Sequence, residues 1–310
     1  MISSLLKRFG IGLALILELV LFGILSPYFF TPDNLLNVSL QISITAIIAA
    51  GMTLVILTGG IDLSVGSIVA CAGVLSTMAL KVDVSFALAL TFALAAGLLL
   101  GAVSGGVAGL FITRFNITPF IVTLALMTVW RGSAFVLTEG RPVWELPDAF
   151  ALLGGGRILG IPAPTIIMVL VFAVVHVILT YTRFGRYVYA VGGNAEAARL
   201  AGINTKRVLF QVYIVSGMLS AVSGILLASR MNSGQPNAGL MYELDVIAAV
   251  VVGGTSLTGG RGTVIGTLIG SILIGVLRNG LNLLNVGSYV QQIIVGAVIL
   301  LAVLLDRLRA

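Results

Sequence analysis

The chain has 310 residues, of which 59% are hydrophobic and only 9% are charged, with a formal net charge of +6. Soluble domains carry about 25% charged residues, so this composition excludes an ordinary soluble protein. The basic residues flank apolar runs, which explains the positive charge by a membrane rather than by nucleic acid. Because a spanning helix needs about 20 mostly apolar residues, the length predicts an all-α, polytopic transmembrane bundle of about ten spans, forming a single domain over residues 1–310.

The apolar runs define ten candidate spans in chain order. They cover residues 9–26, 42–58, 64–80, 86–111, 118–137, 164–182, 208–229, 244–254, 264–281 and 289–305. The fourth run is long and rich in glycine, which predicts either a tilted or a broken helix that packs closely against its neighbours. The eighth is short enough to be a half-helix.

Charge patterning sets the expected orientation. Lys7 and Arg8 precede the first apolar run, and no small-residue cleavage site follows it. We therefore expect an uncleaved first helix with a cytoplasmic N-terminus, and ten spans return the C-terminus to the cytoplasm. In this topology most basic residues are cytoplasmic and most acidic residues are external, in the direction of the positive-inside rule.

The segment TGGIDLSVGS, Thr58 to Ser67, interrupts the apolar sequence between the second and third spans. Glycine weakens helices, and a backbone that leaves the helix within a membrane is tolerated only against protein or a water-filled cavity. A side-chain oxygen of Asp62 or Ser64 can cap the next helix. An alternative is that Asp62 belongs to a gate or substrate path, since acidic residues at membrane depth often mark function. The predicted pathway residues of this break are Gly59, Gly60, Asp62, Ser64 and Ser67.

A second segment, VGGTSLTGGRGTVIG at 252–266, repeats the pattern Gly-Gly-x-x-Leu. This suggests an internal repeat, in which the two breaks lie on opposite membrane faces if the halves are inverted and on the same face if they are parallel. The span count favours the same face without deciding between the two. The predicted pathway residues of this break are Gly253, Gly254, Thr255 and Ser256.

Isolated reactive residues limit the chemistry. Cys71 is the only cysteine and His176 the only histidine, so an intramolecular disulfide is impossible and no metal site is predicted. An ion-coupled secondary transporter would need carboxylates within the membrane, for which Glu18 and Asp62 are the candidates. The sequence leaves that function open.

The connection from Arg183 to Arg207 is unusually polar for this chain and is predicted to be cytoplasmic. Within it, Asn194–Gly202 predicts a short amphipathic helix that is ended by a glycine. Glu196 and Arg199 are three residues apart and share a face. Such an element can lie in a groove of a partner protein or on the lipid surface.

The pattern Glu-Ala-Ala-x-x-x-Gly in this connection resembles the coupling motif of ABC importer permeases. Together with GMTLVILTGGIDLSVGS and ELDVIAAVVVGGTSLTGGRG, it makes the chain similar to the ribose-type monosaccharide permeases from about Ser26 to Asp306. The apolar-proline part of the general coupling motif is missing here.

This resemblance implies a set of partners in a bacterial inner (plasma) membrane. They are a second permease subunit, forming a homodimer, a cytoplasmic ABC ATPase, and a periplasmic or extracellular sugar-binding protein. The resemblance assigns ATPase coupling to Asn194, Glu196, Ala197, Ala198, Arg199 and Gly202. We expect the external residues Arg141, Arg157 and Arg230 to dock the binding protein, with interfacial anchoring or pairing to nearby carboxylates as the alternative.

None of the three lysines lies in a Gly-x4-Gly-Lys-Ser/Thr motif, so the chain is not expected to be an enzyme or to hold a cofactor. ATP and Mg²⁺ would bind the partner ATPase, which drives alternating access. The resemblance favours ribose as the sugar, while xylose, galactose and inositol stay open. The alternative function is an ion-coupled secondary sugar transporter.

Overall fold

The computed structural model describes residues 2–309, with side chains for residues 11–301 and for Leu304. The predicted cytoplasmic charges Lys7, Arg8, Arg307 and Arg309 have side chains outside this described part. The elements are α1 Ile2–Leu25, α2 Pro32–Leu57, α3 Val65–Ala79, α4 Phe86–Arg114, α5 Pro119–Thr138, α6 Asp148–Gly155, β1 Arg157–Ile158, β2 Ile161–Pro162, α7 Ala163–Tyr181, α8 Arg183–Gly193, α9 Ala195–Leu200, α10 Thr205–Met231, α11 Tyr242–Val252, α12 Val264–Leu283 and α13 Ser288–Arg309.

The fold is an all-α bundle in which the only sheet of the described residues is the hairpin β1–β2, with Arg157 opposite Pro162. Six helices are long and apolar enough to cross a membrane: α2, α4, α5, α7, α10 and α12. The apolar parts of α1, α3 and α13 are shorter, and α11 has 11 residues. Each of the ten predicted spans thus coincides with a helix, and six of these helices are long and apolar enough for a full crossing within the residues whose side chains are described.

Helices α2 and α10 form the centre of the bundle. The most apolar windows of α2 and α10 are 83% and 72% buried, against 17% for that of α5, which therefore faces outward. The two central helices run antiparallel, because Ser223 on α10 donates to the Ile44 carbonyl at 2.9 Å and Ser216 packs on Gly51. Helix α2 starts at Pro32, ten residues before the predicted span. Proline favours the first helical position because its φ angle is fixed near the helical value.

Glycine in α4 serves packing and not a break. The helix is continuous over Phe86–Arg114, so the expectation of a broken fourth span is wrong. Cβ atoms at Gly101, Gly105 and Gly109 would overlap or crowd the backbone of α10. These glycines let two helices approach closely, which is how small residues stabilise helix pairs in membranes.

The bundle has two ends, which we name by their elements. The hairpin end carries β1–β2 and the start of α2, where Ser39 lies 3.1 Å from Thr165 of α7. The coupling end carries α8 and α9, which form the polar connection predicted over 183–207. Helices α1 and α13 both lead toward the coupling end. Ile11, near the start of the described side chains of α1, lies beside Gly254. Helix α13 begins at the hairpin end, where the Gln291 side chain donates to Asn282, and runs back from there.

Candidate functional site

The first break begins where α2 ends in a glycine-dependent turn. The Gly59 amide donates to the Ile56 carbonyl at 2.9 Å, and the Gly60 amide donates to the Val55 carbonyl at 3.0 Å. This pair of bonds satisfies the last carbonyls of the helix and requires a left-handed residue, which is Gly59 with φ +77°. The sequence expectation that glycine lets the backbone leave the helix here is met at Gly59.

Asp62 is buried, with 1% of its surface exposed, and its carboxylate accepts three hydrogen bonds. Its Oδ1 accepts from the amide and the hydroxyl of Ser64 at 3.0 and 2.6 Å, and its Oδ2 accepts from the Ser216 hydroxyl at 3.0 Å. The carboxylate therefore forms a local turn just before α3 and ties the break to α10. It does not line an open path in this conformation.

The capping expectation needs correction in detail. Ser64 occupies the N-cap position of α3, but its side chain accepts no hydrogen bond from the helix. It donates instead to Asp62, while Ser67 donates back to the Ser64 carbonyl at 2.8 Å. A carboxylate is a strong hydrogen-bond acceptor, so the Ser64 hydroxyl donates to Asp62 and its oxygen does not accept from the helix.

The second break is built by the same turn, displaced by one residue. Here the Gly254 amide donates to Val251 at 2.8 Å and the Thr255 amide to Val250 at 3.2 Å, with Gly254 at φ +86°. In the first break the left-handed residue is the first glycine of the pair Gly59–Gly60. In the second break it is the second glycine of the pair Gly253–Gly254. The matching letters Gly-Gly-x-x-Leu therefore superimpose with a shift of one residue, and the internal repeat stays a prediction.

After the second break the chain turns back before α12. The Ser256 amide donates to the Arg261 carbonyl at 2.9 Å, while Thr255 is buried. Thr263 then caps α12 by accepting from the Gly266 amide at 3.0 Å. A Thr three residues before a helical amide is an ordinary N-cap signal, and the sequence analysis missed it.

The two breaks meet at the coupling end. The Gly260 amide donates to the Leu57 carbonyl at 2.9 Å, which places both breaks on the same side of the bundle, as the span count favoured. Gly192 of α8 packs against this bond, since a Cβ atom there would overlap the Leu57 carbonyl oxygen and lie 2.6 Å from the Gly260 amide nitrogen. We call the contact of Leu57–Gly60, Gly192–Gly193 and Gly259–Gly262 the junction.

Helix α8 is tied to the junction by a second contact. The Tyr189 hydroxyl donates to the Gly262 carbonyl at 2.9 Å. The sequence pattern did not indicate Tyr189 or Gly192, although both lie in the polar connection from Arg183 to Arg207. Only the fold brings these residues against the distant break, so no local signal could have found them.

Helix α9 has the ends that the sequence predicted. Asn194 caps it by accepting from the Ala197 amide at 2.9 Å. Gly202, at φ +83°, ends it, with the Ile203 amide donating to the Ala198 carbonyl at 3.0 Å. A side chain at Gly202 would meet no neighbour, so the residue is needed for its backbone conformation alone.

The outer face of α9 is polar and accessible. Arg199 donates twice to Glu196, at 2.6 and 3.1 Å, and this guanidinium holds the pKa of the Glu196 carboxyl below its usual value. Ala198 is buried against the bundle, while Leu200 is 77% exposed. The helix thus packs on the bundle through Ala198 and exposes the Glu196–Arg199 ion pair next to Leu200. A short amphipathic helix of this kind can bind in a groove of a partner protein.

The three predicted docking arginines, Arg141, Arg157 and Arg230, are exposed and lie at the hairpin end. None of them forms a salt bridge within the described residues, where Glu145 pairs with Lys81 at 3.9 Å. The hairpin end is held to α10 by α6, since Ser229 accepts from the Gly154 amide at 2.6 Å.

The residues that an ion-coupled transporter would need are not combined into a site. Among the described side chains there is no group of three or more His, Cys, Asp or Glu residues that could hold a metal ion. Glu18 lies on α1, and Asp62 is satisfied by serines of the break and of α10.

Comparison with known proteins supports a transport role. Residues 34–303 match the family described as branched-chain amino acid transport system / permease component. The ribose import permease protein of Bacillus subtilis is 49% identical over 98% of this chain and 94% of its own, and that of Haemophilus influenzae is 48% identical over 95% and 91%. The L-arabinose ABC transporter permease protein of Azospirillum brasilense is 41% identical over 99% of this chain and 89% of its own.

No solved structure matches the chain. The similarity to the ribose permeases extends over nearly the whole length of this chain and of each relative, whereas the family description does not specify a sugar. The chain is a multi-pass membrane protein and the permease component of an import system, in which ATP hydrolysis belongs to separate subunits. It therefore belongs to the branched-chain amino acid transport system / permease component family and, within it, to the ribose-type ABC importer permeases.

Proposed function

We propose that this chain is the membrane subunit of an ABC importer that moves ribose or a related monosaccharide into the cytoplasm. The observation that carries this proposal is the identity of 48–49% to ribose import permeases across at least 95% of the chain. The L-arabinose permease relatives are 38–41% identical, which favours ribose over arabinose.

The assembly we propose contains two copies of this chain, a cytoplasmic ABC ATPase that binds ATP and Mg²⁺, and a periplasmic or extracellular sugar-binding protein. The chain crosses the bacterial inner membrane ten times, with both termini cytoplasmic. The path of the chain supports this, since both termini lead toward the end that carries α9. The short helices α3 and α11 span the membrane together with the irregular segments that extend them.

The coupling step in this proposal starts at α9. The ATPase docks on the exposed face formed by Glu196, Arg199 and Leu200. Movement of α9 passes through α8 to the junction, because Gly192 packs on the bond between Leu57 and Gly260. The junction then opens toward the cytoplasm, which is the inward-facing half of alternating access.

The closed junction supports the assignment of the gate to the two breaks. Gly59 of the first break and Gly259 and Gly260 of the second are left-handed glycines, so these residues bring no side chain to the point of contact. Loops of this kind can separate and rejoin without rearranging packed side chains. The gate consists of Gly59, Gly60, Asp62, Ser64 and Ser67 on one side and of Gly253, Gly254, Thr255 and Ser256 on the other.

Reconstitution tests the function. The chain is purified with its cognate ATPase, incorporated into liposomes, and supplied with the binding protein and labelled ribose, arabinose or leucine. We expect ATP-dependent uptake of ribose. Uptake of leucine instead, or uptake by this chain alone under an ion gradient, would overturn the proposal.

Charge reversals test the two partner surfaces. Glu196→Lys inverts a charge on the docking face and should reduce ATPase recovery in a pull-down. The matched control is Asp148→Lys, an exposed carboxylate at the hairpin end. Charge reversal at Arg141 or Arg157 should reduce stimulation of ATP hydrolysis by the binding protein. Wild-type recovery and stimulation in these variants would remove both surfaces from the proposal.

A further inference from the structure

A polar cavity lies inside the hairpin-end half of the bundle. Its volume is about 160 Å³, and it lies between α2, α11, α12 and the end of α10. The lining residues that carry polar groups include Gln41, Thr45, Arg230, Tyr242, Asp245 and Arg278. Drug-sized ligands occupy about 300–1,000 Å³, so this cavity suits a smaller molecule.

Packed helices separate the cavity from the junction. Thr45 precedes Leu57 by about 18 Å along α2, at 1.5 Å per residue. Between these levels, Thr53 of α2 and Thr267 of α12 are fully buried and share a hydrogen bond of 2.7 Å. The cavity therefore lies on the hairpin side of a closed barrier.

The polar groups of the cavity have free hydrogen-bonding capacity. Arg278 donates to Oδ1 of Asp245 at 2.5 Å, and Asp245 is 7% exposed. Among the described residues, the Arg278 Nε is buried without a partner, and Asp245 Oδ2 has no hydrogen bond. The side chains of Gln41 and Tyr242 likewise make no hydrogen bond within that part of the chain. The buried charged groups of Asp245 and Arg278 are costly in a bundle this apolar, and groups of this kind often mark substrate paths.

We propose that this cavity binds the monosaccharide during transit, an inference that rests on the proposed function. Sugar hydroxyls both donate and accept, so they can donate to Asp245 Oδ2 and accept from Arg278 Nε and the Gln41 amide. Tyr242 adds an aromatic wall with a polar tip.

Charge favours a neutral polyol over an amino acid. The Asp245–Arg278 pair neutralises itself, while Arg230, the other charged residue of the lining, is exposed and can keep its charge in water. A neutral sugar can bond to the free atoms of the pair while the pair stays intact. A zwitterionic amino acid would have to separate the pair to use both charges, which leaves buried charges unpaired.

Cysteine protection tests occupancy. Cys71 is the only native cysteine and is 1% exposed, so a Gln41→Cys thiol is the accessible one in the permease–ATPase complex. We expect ribose to slow its labelling by a charged thiol reagent at least threefold, in a saturable way, while leucine has no effect. Ser288→Cys, exposed at the start of α13, is the control and should label equally with and without ribose. Equal labelling of the Gln41→Cys thiol with and without ribose, or protection by leucine only, would overturn the inference.

Transport by point variants is the second measurement. Gln41→Ala alters an exposed side chain without hydrogen bonds, so it should not disturb folding. We expect Gln41→Ala and Asp245→Asn to import at least threefold less ribose per ATP hydrolysed. Asp148→Asn is the control for the charge change. Wild-type uptake by both cavity variants overturns this inference, whereas failure of the wild-type complex to import ribose overturns the proposed function.

Discussion

Gly192→Ala should split the junction between the two breaks. The added Cβ would overlap the Leu57 carbonyl oxygen and lie 2.6 Å from the Gly260 amide nitrogen. Both neighbours are backbone atoms, so no side-chain rotation can relieve the overlap. Overpacking of this kind costs about 1–3 kcal/mol.

The hydrogen bond from Gly260 to Leu57 limits how the junction can relieve this overlap. If the two segments separate, these backbone groups lose a bond of 2.9 Å, and an unsatisfied buried group costs about 1–3 kcal/mol. Either response destabilises the closed state by about 1–3 kcal/mol, which is about a 5- to 150-fold change in its ratio to the open state.

The neighbouring glycine supplies the control. A Cβ atom at Gly193 would meet nothing within 4 Å, yet Gly193 occupies the same last turn of α8. Gly193→Ala therefore makes the same change in helix propensity, about 1 kcal/mol in favour of helix, without the overlap.

The assay is uptake and leak in proteoliposomes that contain the assembled importer. We expect Gly192→Ala to release trapped ribose without ATP and to import fewer sugar molecules per ATP hydrolysed, while Gly193→Ala behaves as wild type. Tight, fully coupled transport by Gly192→Ala would refute the idea that the junction is the closed barrier.

Three further outcomes are expected. Gly202→Val forces a β-branched residue into φ +83° and should loosen α9, so that less ATPase is recovered in a pull-down; full recovery would show that the turn is dispensable. Asp62→Asn keeps an acceptor for Ser64 and should retain coupled uptake at normal protein levels, whereas impaired uptake would indicate a charge-dependent gate. Asp62→Ala loses three hydrogen bonds and should lower the amount of folded protein. Tyr189→Phe removes a hydrogen bond of 2.9 Å to Gly262, worth about 0.5–1.5 kcal/mol, and should raise ATP hydrolysis per imported sugar; an unchanged ratio would exclude this contact from coupling.

Sequence alone determined the features that depend on local chemistry. The apolar runs placed a helix at each predicted span, because helices satisfy their own backbone groups within a membrane. The cap at Asn194 and the glycine ending at Gly202 were readable, since caps act over three or four residues. The motif around Glu196 was specific enough to indicate the family.

Tertiary structure decided what depends on distant segments meeting. Leu57 and Gly260 are joined by a hydrogen bond, and Gly192 fits only because the fold brings α8 beside it. The cavity around Asp245 and Arg278 likewise combines helices that are far apart in the chain. Sequence pattern reports the period and ends of each helix, but not which side chains face one another across the bundle. The partner of a buried carboxylate such as Asp62, and therefore its role, is fixed only when the helices pack.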